Sequence, residues 1–402
     1  MTRLALYLLL PVLLPAQPPT ANYDEAKVPA YSLPDVLGKA RDAKSWDARR
    51  NEILEMYRRD VFGRAPGKPA KVGIEISAEG AALGGKAARK IVTLSFGGDV
   101  KARMLMYLPS GSRGPAPLFL GYSFAPVQSV ANDPAVPLYD EWTRAGEKRP
   151  STEASRGRSA SQWQVEKILD NGYGLAVIDY DDVEPDFNGG MKYGVRSLYP
   201  APGPDGWAAI SAWAWALSRA MDYLETDRAV DAKHVAVFGH SRLGKTALWA
   251  GAQDTRFAFV ISNESGEGGA AIARRAFGER TKDLNARFPH WFCANFRHYD
   301  DKEDTMPFDS HFLIGLSAPR PVYVASAEED RWSDPRGEFL GAYGASRVYS
   351  LLGKKGIESD KMPGLHEPVG VTVGYHIRAG KHDVTAYDWD QYLAFAKKNW
   401  GK

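Results

Sequence analysis

A serine that attacks a carbonyl needs three kinds of help. A base takes its proton, a carboxylate holds that base, and donors meet the oxyanion that forms. The chain carries residues of each kind. Ser241 stands in Gly239-His240-Ser241-Arg242-Leu243-Gly244-Lys245. His382 lies in Gly380-Lys381-His382-Asp383, and two acids, Glu264 and Asp330, fall between serine and histidine. Arg242 follows Ser241 directly. Its backbone N–H has the place usual for an oxyanion donor, and its guanidinium can add charge-assisted donors to the same oxygen. Lys245 is one helical turn on, close enough to meet an anionic substrate. The plain alternative is a serine in an ordinary turn, with Arg242 and Lys245 as surface charges.

The elements around Ser241 favour the chemical alternative. Val235-Ala236-Val237-Phe238 is short and apolar, as a buried parallel strand is. A tight turn flanked by glycines follows, then helical character from Lys245 to Ala250. Strand, tight turn, serine, helix is the setting of a nucleophile elbow, where strand and helix backbones approach too closely for side chains beside the serine. The second glycine comes three residues after Ser241 rather than two, a departure from the common G-x-S-x-G. The order serine, acid, histidine is that of α/β-hydrolases, with the histidine in a loop after the last strand. Either acid can accept a hydrogen bond from the imidazole Nδ1–H and stabilise the imidazolium; Asp330 takes a slight preference as the main orienter. Glu264 has a structural alternative, bonding the Gly266–Gly269 backbone, and it can also pair with Arg242. Glu328, Glu329 and Asp334 are expected to be solvated. No His/Cys/Asp cluster has zinc spacing, so no metal and no cofactor are expected.

G-H-S-R-L-G-K, followed by Asn263-Glu264-Ser265-Gly266-Glu267-Gly268-Gly269, resembles the glucuronoyl esterases, carbohydrate esterase family 15. The hallmark of that family is G-C-S-R-x-G-K, and His240 stands here in place of its cysteine. The resemblance continues through Asp330-x-Trp332 and His382 and covers the chain from about Ser45 onward. It implies that Lys245 and Glu279 bind hydroxyls of a uronic acid ring and that Trp332 packs beside it. Fungal members use a glutamate at the Glu264 position; many bacterial members have both acids, as here.

Composition sets bounds. The chain has 402 residues, 44% hydrophobic and 25% charged, with a formal net charge of +2. That balance argues against a dedicated nucleic-acid or membrane surface. Eleven Trp and nineteen Tyr suit sugar stacking or simply a large core. Residues 1–17 read as a secretory signal: Arg3, then the apolar run Leu4–Leu14, then Ala16 before the cut, with a run too short to span a bilayer. Cys293 is the only cysteine, so no internal disulfide can form, and it reads as a small buried residue.

Residues 18–402 read as one catalytic domain. Ser45 is a plausible N-cap for a helix ending near Phe62. Val72–Ile76, Lys90–Phe96 and Ala102–Leu108 suggest an antiparallel meander. Apolar strands follow over Pro117–Phe124, Tyr173–Asp179, Phe257–Ser262, Arg320–Ser326 and Val371–His376, alternating with helices over Trp207–Leu224, Glu338–Leu352 and Asp388–Asn399. Surface insertions fall around 130–160 and 181–204, the first of a length that is often substrate-facing. The pattern predicts an α/β-hydrolase fold, a doubly wound, mostly parallel sheet with helices on both faces. The loop from Ala125 onward should supply a second oxyanion N–H, but no H-G-G-G motif is present.

The expected activity is a serine esterase acting on esters of (4-O-methyl-)glucuronic acid in glucuronoxylan and lignin–carbohydrate linkages. The expected protein is a secreted or periplasmic monomer, with no nucleic-acid partner and no membrane after signal cleavage. A xylan acetylesterase or general carboxylesterase is one rival, but it would not need Lys245, Glu279 and Trp332 together. A non-catalytic polysaccharide-binding protein on the same fold is another, and the intact serine, histidine and acids speak against it.

Overall fold

The computed structural model describes residues 21–69 and 71–401. The signal sequence expected over residues 1–17 lies outside these described residues. Ten strands form one mixed sheet. They are β1 (Gly73–Ala82), β2 (Ala87–Gly97), β3 (Val100–Pro109), β4 (Ala116–Ser123), β5 (Gly174–Asp179), β6 (Val230–His240), β7 (Phe259–Asn263), β8 (Val322–Ala327), β9 (Val369–Gly370) and β10 (Val373–Arg378). Their spatial order is β1-β2-β3-β5-β4-β6-β7-β8-β10-β9. β5, β4, β6, β7, β8 and β10 run parallel to one another. The meander β1–β3 joins β5 antiparallel, and β9 closes the far edge antiparallel to β10.

The doubly wound sheet is therefore present, and its patterning explains it. Central strands are apolar on both faces because helices cover both. Along β6, Val235 and Val237 join one core, while Ala236 and Phe238 join the other. The first core lies under α1 (Ala43–Asp60), α2 (Ala209–Leu224), α3 (Arg242–Gln253) and α4 (Pro335–Leu351) and holds Trp46, Trp213, Trp249 and Phe339. The second lies under α5 (Ala386–Trp400) and holds Phe119, Trp389 and Tyr392.

Local chemistry moved several boundaries. α1 starts at Ala43, not at Ser45. Asp42 is its N-cap and accepts from the Ser45 backbone N–H at 2.8 Å, while the Ser45 hydroxyl serves the Asp42 N–H in a capping box. α4 starts at Pro335, three residues before Glu338, because Asp334 caps it. Asp334 is thus buried rather than solvated. It accepts from Arg275 Nε at 2.7 Å and from the Gly337 backbone N–H at 3.0 Å. Glu328 and Glu329 are exposed as expected.

The insertion around 130–160 folds back through a two-stranded pair, Glu141–Trp142 with Lys148–Arg149. The C-terminal ends of β6, β7, β8 and β10 lie side by side. The loops leaving them carry Ser241, Glu264, Asp330 and His382, so four distant stretches of sequence meet at one edge of the sheet.

Candidate active site

Ser241 sits between β6 and α3 with φ 56° and ψ −129°, a region that L residues avoid. Its neighbours hold it there. The Ser241 N–H donates to the Asn263 carbonyl at 2.8 Å, and its own carbonyl accepts from Gly244 N–H at 2.8 Å. The two glycines answer to packing. A Cβ on Gly239 would lie 1.8 Å from the Leu243 carbonyl oxygen, and one on Gly244 would lie 3.0 Å from Ser265 Cβ. The backbone N–H of Arg242 opens α3, in the turn whose donors have no intrahelical acceptor. Strain, glycines and helix start together describe a nucleophile elbow.

His382 shares a cavity of about 140 Å³ with Ser241. Its Nδ1 lies 2.6 Å from Asp330 Oδ2, within a hydrogen bond, and 3.1 Å from Glu264 Oε2. Glu264 does not bond the glycine backbone after it; Glu338 serves Gly266 N–H instead, at 3.0 Å. Glu264 accepts from Arg378 Nη2 at 2.6 Å and from the Asp383 N–H at 3.0 Å. Arg378 also donates to Asp388 at 2.9 Å and to the carbonyls of Lys381 and Asp383, at 3.1 and 2.6 Å. It thereby shapes the loop that presents His382. His376, which has no place in the cavity, bonds Asp388 at 2.9 Å from inside the core.

Charge follows this geometry. Burial alone would raise both acids. The His382 charge and its bond hold Asp330 below the usual carboxylate range, while Glu264 ends at about 7. Burial opposes charge on His382, but Asp330 and Glu264 outweigh it and carry the imidazole up to about 10. His240 packs 4.4 Å from the His382 ring, centroid to centroid. It donates from Nδ1 to Asn263 Oδ1 at 2.5 Å. Burial, with the nearby His382 charge, pushes His240 down to about 3, so it stays neutral. His240, Glu264 and His382 could approach one cation, but hydrogen bonds already occupy an atom of each.

The expected sugar-binding residues meet in the same cavity. Lys245 donates to the Ser265 carbonyl at 2.5 Å and lies 3.5 Å from Glu279 Oε2. Trp332 Nε1 donates to Glu279 Oε1 at 3.0 Å. Glu279 is buried. Gly278 permits this approach, since a Cβ there would meet the Trp332 carbonyl oxygen at 2.4 Å. Arg144, from the insertion around 130–160, reaches the same cavity.

Arg242 lines the cavity, yet its partner is Asp186 at 2.5 Å rather than Glu264. Its Nε is buried and has no acceptor. The Ala125 N–H, expected near the oxyanion, is bonded to Ser123 Oγ at 3.2 Å. Sequence reasoning missed Asp186, Asn263, Trp291, Glu338 and Arg378. Asp186 sits in a glycine- and proline-rich loop with no motif, and Arg378 reads as one more charge at a strand end.

A family model described as "Glucuronyl esterase, fungi" matches residues 174–353. Carbohydrate esterase MZ0003, from an unknown prokaryotic organism, is 48% identical over 400 residues, 95% of this chain and 92% of that protein. A 4-O-methyl-glucuronoyl methylesterase from Schizophyllum commune is 28% identical over 325 residues, 77% of this chain and 70% of that protein. A solved glucuronoyl esterase from Solibacter usitatus superposes with a TM-score of 0.91 at 59% identity, covering 94% of this chain and all of that one.

Proposed function

This chain belongs to the glucuronoyl esterases, carbohydrate esterase family 15, and from that membership we propose that it hydrolyses esters on the carboxyl of (4-O-methyl-)glucuronic acid, with Ser241 as nucleophile. The observation that carries the assignment of roles is His382, held at Nδ1 by Asp330 with Glu264 beside it, in one cavity with the elbow serine. His382 takes the Ser241 proton as Oγ attacks the ester carbonyl. The Arg242 backbone N–H and guanidinium meet the oxyanion. His382 then protonates the leaving alcohol, and water releases the glucuronate from Ser241 by the same route in reverse. Lys245, Glu279 and Trp332 hold the sugar ring. The natural substrates on this reading are glucuronoxylan and lignin–carbohydrate esters. The sequence of residues 1–17 supports export to the periplasm or beyond, and among the described residues no helix is long and apolar enough to cross a membrane. We take the working unit to be a monomer of one catalytic domain.

The decisive comparison is the hydrolysis of benzyl glucuronate, methyl galacturonate and p-nitrophenyl acetate by purified protein. Benzyl glucuronate should lead p-nitrophenyl acetate in kcat/KM by at least ~100-fold, because only a uronate uses Lys245 and Glu279. A substrate site able to bond an OH rejects analogues that lack it by large factors. Lys245→Ala should erase most of that lead and leave p-nitrophenyl acetate turnover unchanged. Equal rates on all three substrates would make the protein a general carboxylesterase.

The pH profile tests the base. With the His382 imidazole raised above its ordinary 6.5, the neutral form that accepts the Ser241 proton grows only as pH climbs into the alkaline range. The ascending limb of kcat/KM should therefore lie above pH 7. Removing a carboxylate destabilises the imidazolium, so Glu264→Gln should move that limb to lower pH. A limb that stays in place would show that Glu264 does not act on His382.

A further inference from the structure

The guanidinium of Arg242 is aimed by a residue far away in sequence. Asp186 comes from the loop after β5, and its carboxylate gathers four side-chain donors. Arg242 Nη1 at 2.5 Å and the Tyr180 hydroxyl at 3.1 Å bond one oxygen. His290 Nε2 at 2.8 Å and Trp291 Nε1 at 2.6 Å bond the other. The Asp186 backbone N–H is itself tied to Asp181 at 2.7 Å. Burial works against its charge, but the Arg242 guanidinium and the other donors hold the carboxyl well below the usual range. Rings hold the guanidinium face. Trp291 lies 4.8 Å from it and Phe124 5.3 Å. Trp291 is stacked in turn on Phe288 at 3.7 Å with an interplanar angle of 2°.

Arginine–carboxylate pairs frequently close as a two-pronged fork. Here Asp186 takes Nη1, and Nε–H remains buried without an acceptor. An unpaired buried donor is costly unless a bound group completes it. We propose that Asp186 is a positioning residue for the reaction: it clamps Arg242 by Nη1 so that the guanidinium, which lines the cavity beside Ser241, stays aimed at the oxyanion. The proposal rests on the reading that Arg242 stabilises the oxyanion. Preorganised donors of this kind need no rearrangement as charge develops, which is where their catalytic value lies.

The test uses the purified full chain and benzyl glucuronate, with Asp186→Asn, Arg242→Ala and the double variant. Arg242→Ala should lower kcat by about 10²–10³-fold, the usual cost of one oxyanion donor. Asp186→Asn should lower kcat at least ~10-fold with KM changed less than ~3-fold, because Lys245, Glu279 and Trp332 still hold the sugar. Acting through Arg242, it should add nothing once Arg242→Ala is present. A merely structural Asp186 would instead lower the melting temperature and add its loss in full to the double variant; that result overturns the proposal. So does an Asp186→Asn enzyme with kcat within ~2-fold of the parent while Arg242→Ala is crippled. If Arg242→Ala keeps its kcat, the oxyanion role itself is wrong and the proposal falls with it. Should Asp186→Asn fail to fold, His290→Ala, which removes one of the four donors, decides. A kcat loss of at least ~3-fold that vanishes in the Arg242→Ala background supports the clamp, and an unchanged kcat overturns it.

Discussion

Ser241→Ala should lower turnover of a glucuronate ester by about 10⁵–10⁶-fold, the scale seen when the nucleophile of a serine triad is removed. Substrate affinity should survive, because Lys245, Glu279 and Trp332 are untouched. The backbone adds a sharper test. At φ 56° and ψ −129° any residue with a Cβ is strained, by about 1–3 kcal/mol. Ser241→Ala keeps the Cβ and should melt close to the parent. Ser241→Gly loses both the Cβ and the strain, so it should be equally inactive yet melt higher. Stability released on removing the nucleophile's side chain is the signature of an elbow built under tension. Retained activity in a natively melting Ser241→Ala would remove Ser241 from the mechanism.

The second large effect concerns the acids. A triad that loses its only orienting carboxylate drops about 10⁴-fold. With Asp330 at 2.6 Å and Glu264 at 3.1 Å from the same nitrogen, neither single loss leaves the imidazolium alone. Asp330→Ala should cost more than Glu264→Ala, since Asp330 makes the shorter bond and is held as the anion. Each should cost well under 10⁴-fold. The double variant should cost far more than the two single effects multiplied, because each acid covers for the other. The arginine beside Glu264 is Arg378, still paired with Asp388 in the variant, so Arg242 does not blur the comparison. If Asp330→Ala alone removes all activity and Glu264→Ala changes nothing, the shared-acid idea fails.

What could be read in the sequence divides by range. The elbow was legible because strand, glycines, serine and helix are consecutive, and each is demanded by crowding that neighbours in sequence impose. The central strands followed from short apolar runs, but their order across the sheet did not. His382 was legible from its place after the last strand. Partnerships across the sheet were not legible. Asp186 is 56 residues from Arg242, and Arg378 is 114 from Glu264. Nothing local marks either as a partner. Asp334 shows the same limit, since its burial depends on Arg275 arriving from another loop. The displaced start of α1 is a nearer miss: Asp42 and Ser45 are both good caps, and only the geometry shows which one holds the end.

The chain from His376 through Asp388, Arg378 and Glu264 to His382 ties the cavity to an element outside it. Ser241, Glu264 and Asp330 leave the ends of β6, β7 and β8 directly. The loop that aims His382 is held by Arg378, whose second anchor, Asp388, belongs to the helix Ala386–Trp400. A lesion that loosens that helix therefore reaches His382 without changing any residue of the cavity.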